Sequence, residues 1–378
     1  MIARIERSER DWRYGRLRDA MAGQGIDGLL AFAPGWRRED VHYLAGATVE
    51  SSFSFAYLPA GGEPCAVTLT DADAENVRAA GWIDDVRPLD VPGAARLAER
   101  LREDGGPPER LGVGHLELLP SAIAAALRRA LAGTELVSAS GLLSGVRLVK
   151  SAWEIAQLRR CAVLCDEGWR AFTAALRPGL AEYELIAEVE SALKAGGAED
   201  NFMLIASGGD EVLGMTPPSE RRLRPGDMVR TELTPRVNGY WAQICRSAVL
   251  GTPSDGQRES FALFDEAVAA GLAAARAGVT AHDIAKAEND VFRRHGYGGY
   301  CSAEYTRVRG HGHGLHLDEV PIVEGVDTVL DENAVVIVHP NTYTPLAGYH
   351  VLGDPVLITA TGCEILVSTE RALEAVPA

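Results

Sequence analysis

The chain has 378 residues, 47% hydrophobic and 24% charged, which suits two domains with ordinary cores. A formal net charge of -16 repels phosphate backbones and anionic lipid, which argues against nucleic acid and membrane surfaces as partners. No apolar run is long enough for a transmembrane helix, the charged N-terminal stretch lacks the apolar core of a signal peptide, and the cysteines show no CxxC spacing, so a reducing cytoplasm is the expected setting.

Residues 9–25 read as a helix, followed by a buried strand, DGLLAFA, at 27–33. The stretches 53–59 and 64–70 alternate as a hairpin around AGGEP. A helix at 71–80, a strand at 84–88, a helix at 92–103, a strand at 110–115, a helix at 120–132 and a strand at 135–137 complete an α/β pattern that ends near Leu148. Beyond Lys150 the texture changes. A long helix is predicted over 151–176, opened by Ser151 with Glu154 three positions later as a capping box. A second helix at 181–195 follows the Pro178-Gly179 break, and strands are expected at 201–207, 228–234 and 240–250, the last two joined as a hairpin through RVNG. Helices at 256–276 and 280–296 come next, then strands and loops over 303–368, an α+β arrangement. Short similarity between PGLAEYEL at 178–185 and AGVTAHDI at 277–284 hints at two related halves.

Read in order, LVKSAWEIAQLRRC (148–161), RPGLAEYEL (177–185), ASGGDE (206–211), LRPGDMV (223–229), NGYWAQICRS (238–247), GVTAHDIA (278–285), GHGHGLHLDEVP (310–321) and DPVLITATGCEIL (354–366) resemble the catalytic domain of the creatinase, aminopeptidase P and prolidase superfamily. The N-terminal region is similar to the α/β domain of creatinase and prolidase. The resemblance implies an α+β pita-bread catalytic domain over 149–378, preceded by a creatinase-like α/β domain over 1–148.

Fold does not fix function, so the site is read position by position. Metallopeptidases of this family hold two metals through Asp, Asp, His, Glu and Glu, hard anionic oxygens that offset the ions' charge. The resemblance places Glu232, Gln243, His311, His339 and Gly353 at those positions, a set with one carboxylate. Two divalent ions at close range would repel with little to screen them, so a metal pair is not expected. Creatinase, the family's metal-free precedent, uses a His where this chain has Met215 and a supporting Glu where it has Cys245. Asp318 replaces the second His of the glycine-rich motif and is followed by Glu319. Neither substrate is carried over.

The leading expectation is metal-independent acid–base hydrolysis, or lyase or isomerase chemistry, on a small amino-acid-like, amide or guanidino compound. His311 or His339 with Glu232 would move the proton, because imidazole titrates near neutral pH; Gln243 and Glu319 complete the expected catalytic set. Tyr305, Arg307, Asp318, Met215 and Cys245 are expected to touch substrate. Trp36 and Arg38 lie on an early loop that, in creatinase-like dimers, reaches the partner's site, so a homodimer is implied. An alternative keeps one Fe, Mn or Zn ion on Glu232, His311 and His339. A binding-only pseudoenzyme and an ordinary Xaa-Pro dipeptidase or aminopeptidase are the remaining alternatives. His313 and His316, which flank a glycine-rich loop, are read as solvated or backbone-bonded side chains rather than catalytic ones, and His350 as facing solvent.

Overall fold

The computed structural model describes residues 5–88, 95–103 and 106–378. The chain divides into two compact units, 1–147 and 148–378. In the first, a six-stranded mixed sheet runs Asp85–Pro88, Cys65–Thr68, Ser54–Pro59, Gly28–Ala33, Arg110–Val113 and Glu135–Ser138. The AGGEP hairpin pairs antiparallel, Phe55 opposite Val67. Leu30, Phe32, Phe55 and Val113 of the sheet are packed with Leu101 and Leu127 of the covering helices. Each such side chain taken out of water stabilises by about 1.5–3 kcal/mol. The helix expected at 92–103 is described over Ala95–Glu103; its expected start at 92 lies outside the described residues. The sequence reading missed a helix at Ser140–Leu148.

The second unit has the pita-bread arrangement of two helix pairs and two sheets. Helices Ala152–Ala175 and Glu182–Ala195 accompany a sheet ordered Glu374–Val376, Ile244–Leu250, Met228–Val237 and Asp200–Gly208. Helices Asp255–Ala274 and Ala281–Arg294 accompany a sheet ordered Gly310–Gly312, Val335–Val338, Asp354–Ile358 and Cys363–Ile365. Both pairs start with the same device: Ser151 and Ser254 each accept from the backbone three positions on, closing capping boxes with Glu154 and Gln257. Phe264, Ile284, Phe292, Val336 and Val356 fill the core of the second half.

One correction bears on the site. The expected continuous strand at 240–250 is two pieces, Tyr240–Trp241 and Ile244–Leu250, interrupted at Ala242 and Gln243. The turn before it has Asn238 at φ 49° and Gly239 at φ 81°, left-handed conformations that Asn and Gly accept at low cost. Their backbone N–H groups donate to Glu199, which fixes the hairpin's end.

Candidate active site

The two sheets of the second unit meet where Cys245 and Gly353 exchange backbone hydrogen bonds, each 3.1 Å. Arg246 fixes that register: its guanidinium donates to the Gly353 carbonyl at 2.8 Å and to Asp354 at 2.6 Å, with both side chains buried. Glu232 sits directly opposite Cys245 on the neighbouring strand. On the other sheet His311 pairs in register with Ile337, and His339 directly follows the Val335–Val338 strand with its N–H on the Arg309 carbonyl. This seam brings the candidate residues together.

Asn341, which the sequence reading passed over, joins the sheets. Its amide oxygen accepts from the Leu352 N–H at 3.1 Å, which orients the Nδ2 group to donate to Glu232 Oε1 at 2.8 Å. Gln243 donates to Cys245 Sγ at 3.4 Å. Glu232 is half-buried, with its carboxyl packed closely by protein atoms. That burial, reinforced by Asp318 and opposed by Asn341 and Arg307, pushes its pKa up to about 7. A carboxyl at that value both gives and takes a proton near neutrality.

His311 and His339 meet edge to face with ring centroids 5.2 Å apart, and His313 stands 5.0 Å from His311. All three are buried, and burial holds His313 and His339 well below the ordinary imidazole range and His311 below it. They are therefore neutral at pH 7. Both ring nitrogens of His313 and of His339 lack a hydrogen-bond partner. His311 Nδ1 lies 3.4 Å from Asp318, which pairs with Arg307 at 2.7 Å. Tyr305 belongs to an aromatic group with Tyr300 and Tyr343, at 5.0 and 6.0 Å.

Other expected residues are placed differently. Glu319 is not an available acid or base: its carboxylate is held at 2.7 Å by Lys150, and both side chains are buried. Met215 and Cys245 pack with Ile337, Val351 and Tyr349 as an apolar wall, and burial raises the Cys245 thiol well above its usual value, which removes it as a nucleophile. His350 does not face solvent; it stacks 4.7 Å from Phe264 and bonds Ser260 at 2.8 Å. Trp36 and Arg38 lie in the first unit, Trp36 exposed and Arg38 paired with Glu50 at 2.6 Å.

Comparison with known proteins decides the family. The model of metallopeptidase family M24 matches residues 156–360, more than half the chain, and that of the creatinase/prolidase N-terminal domain matches 13–149. This chain belongs to metallopeptidase family M24. A Pyrococcus furiosus Xaa-Pro dipeptidase is 32% identical over 61% of this chain and 66% of its own length, just short of two thirds. The solved structure of a Bacillus anthracis Xaa-Pro dipeptidase superposes with a TM-score of 0.85 at 26% identity, covering 97% of this chain and 99% of that one. Dipeptidase PepE of Mycobacterium ulcerans gives 0.84 at 26% identity over the full length of both.

The M24 family name implies a divalent metal centre, and the residues present do not fit a pair of ions. Of the five positions assigned by resemblance, Glu232 alone is anionic, and its carboxyl is held by an amide. A Cβ built at Gly353 would come within 2.4 Å of His339 Cβ and 2.5 Å of the Val338 carbonyl oxygen. The space that a side chain at this position needs is thus taken by the backbone and Cβ of the neighbouring strand's end. Among the described residues, no three His, Cys, Asp or Glu side chains stand together as a metal-holding group, the trio Glu232, His311 and His339 included. In this M24 member no helix among the described residues is long and apolar enough to cross a membrane.

Proposed function

We propose that the chain hydrolyses a C–N bond in a small dipeptide-like or amino-acid-derived substrate, with Glu232 as the proton carrier in place of a metal pair. The observation that carries this reading is the Asn341-anchored Glu232 carboxyl, protonatable near pH 7, in a seam that also holds two neutral histidines whose ring nitrogens make no hydrogen bond. The names of the relatives support the reaction class. In this reading Glu232 takes a proton from the attacking water and returns it to the leaving nitrogen. His311, oriented by Asp318, and His339 meet the polar atoms of the substrate, and Met215, Cys245 and Tyr349 form the apolar side of the cleft. Arg307 suits a substrate carboxylate because its guanidinium is largely exposed beside Asp318.

The relatives' names also favour a second reading, an Xaa-Pro dipeptidase; if it used the divalent ion that the family name implies, Glu232, His311 and His339 would have to draw together to hold it. Such an ion would supply Lewis-acid polarisation of the scissile carbonyl. One assay separates the two: turnover of Xaa-Pro dipeptides and of simple amino-acid amides, measured with EDTA and with added Mn(II). Turnover unchanged by EDTA supports the proton-carrier reading; turnover of Xaa-Pro dipeptides that depends on Mn(II) supports the second.

A further inference from the structure

Arg309 is a buried cation that makes no ion pair among the described residues, although the buried Glu288 carboxyl and the Cys301 thiol lie close enough to act on its charge. Its Nε donates to Asn289 at 2.6 Å, its Nη1 donates to the Pro340 carbonyl at 2.9 Å, and its plane stacks 4.9 Å from Phe292. Its Nη2 has no hydrogen-bond partner, although only 2% of the residue is exposed. Among the described residues no carboxylate pairs with it, whereas the other two arginines of the same region are paired, Arg293 with Glu324 at 2.7 Å and Arg307 with Asp318 at 2.7 Å. A buried charge with an unsatisfied donor is costly, on the order of several kcal/mol, unless something meets it.

That guanidinium borders a cavity of about 190 Å³, between the start of the loop after Gly298–Cys301 and the helix Ala281–Arg294. Arg293, Arg307, Arg309, Cys301, Thr306 and Glu324 are among its lining residues. Three arginines and one carboxylate residue line it, and that carboxylate is already bonded by Arg293 and Asn289. The volume holds a small anion with several waters, each of which needs about 30 Å³. The cavity shares only Arg307 with the groups around Glu232.

We propose that this cavity is a binding site for a small oxyanion, a carboxylate or a phosphate group, held by the free Nη2 of Arg309 with support from Arg307. A planar fork of donors matches either group. The site adjoins the groups around Glu232 through Arg307, and its test reads binding alone.

Full-length protein is melted in rising inorganic phosphate, in rising acetate, and in chloride at matched ionic strength. One anion is expected to raise Tm saturably beyond chloride, and the arm that does so identifies the class. Arg309→Met is expected to weaken that response at least tenfold. Where this variant does not fold, the wild type supplies the readout, because Cys301 lines the cavity and Cys363 does not. Bound anion is expected to slow N-ethylmaleimide labelling of Cys301 several-fold while Cys363 labels at an unchanged rate. No saturable shift with either anion, an unaltered shift in Arg309→Met, or equal Cys301 labelling with and without anion overturns the proposal.

Discussion

Glu232 has a carboxyl whose protonation changes near neutral pH, and this leaves a signature in stability as well as in rate. Its folded pKa of about 7 lies above the ordinary 4.5, so between those values the native state holds a proton that the unfolded chain has lost. Its contribution is fully present below pH 4.5 and is lost as pH rises through about 7, no more than about 3 kcal/mol in all. Glu232→Gln should flatten that part of the pH–stability curve, measured by urea unfolding between pH 5 and 8, and should lower kcat by roughly 10²–10⁴-fold. A kcat within threefold of wild type would remove Glu232 from the mechanism. The buried neutral histidines act with the opposite sign: His313 and His339 have depressed values, so stability falls as pH drops below about 6.5, where the unfolded imidazoles take up protons. Motif order was enough to place Glu232, Gln243, His311 and His339 on or beside strands that converge. Asn341 was not legible in the sequence, since its role depends on a partner 109 positions away, and Glu319 was misread because Lys150, 169 positions away, holds it. Restoring the family's carboxylate through Gly353→Glu is expected to destabilise by about 1–3 kcal/mol rather than to create a ligand, because the added Cβ meets His339 and the Val338 carbonyl. A variant as stable as wild type in thermal melts would show that the seam opens to admit the carboxylate.

Helix starts were the most readable elements. Ser151 with Glu154 is visible three positions apart in the sequence and closes as a capping box in the fold. Ser151→Ala should cost about 1 kcal/mol, read as a Tm decrease of a few degrees. The helix Ser140–Leu148 was missed because Gly141 and Gly145 each weaken a helix by about 1 kcal/mol, and burial of Leu142, Leu143 and Val146 compensates. The strand Glu374–Val376 was missed for a different reason. It forms by pairing in parallel with Ile244–Leu250, and the segment before it is tied down by Asp166, which accepts from the backbone and hydroxyls of Ser368 and Thr369. Asp166→Ala should release this segment, raising amide exchange at 368–376 and costing roughly 2–3 kcal/mol. Unchanged exchange there would mean that the strand pairing holds the tail by itself.

At the scale of the molecule, the architecture of the second unit followed from the order of its motifs, whereas the chemistry did not, because the departures from the family pattern lie at the site. We expect the protein to be a homodimer, with the exposed Trp36 loop at the interface; light scattering should give twice the chain mass, and Trp36→Asp should shift it toward the monomer. The most direct test of the account is metal content set beside turnover. Protein purified without chelator and saturated with Mn(II), Co(II) or Zn(II) is desalted, analysed by plasma mass spectrometry for ions per chain, and assayed before and after EDTA. The account predicts that no pair of ions is retained per chain and that EDTA leaves turnover unchanged. Two tightly held ions per chain, with activity that disappears on their removal and returns on their addition, would contradict it.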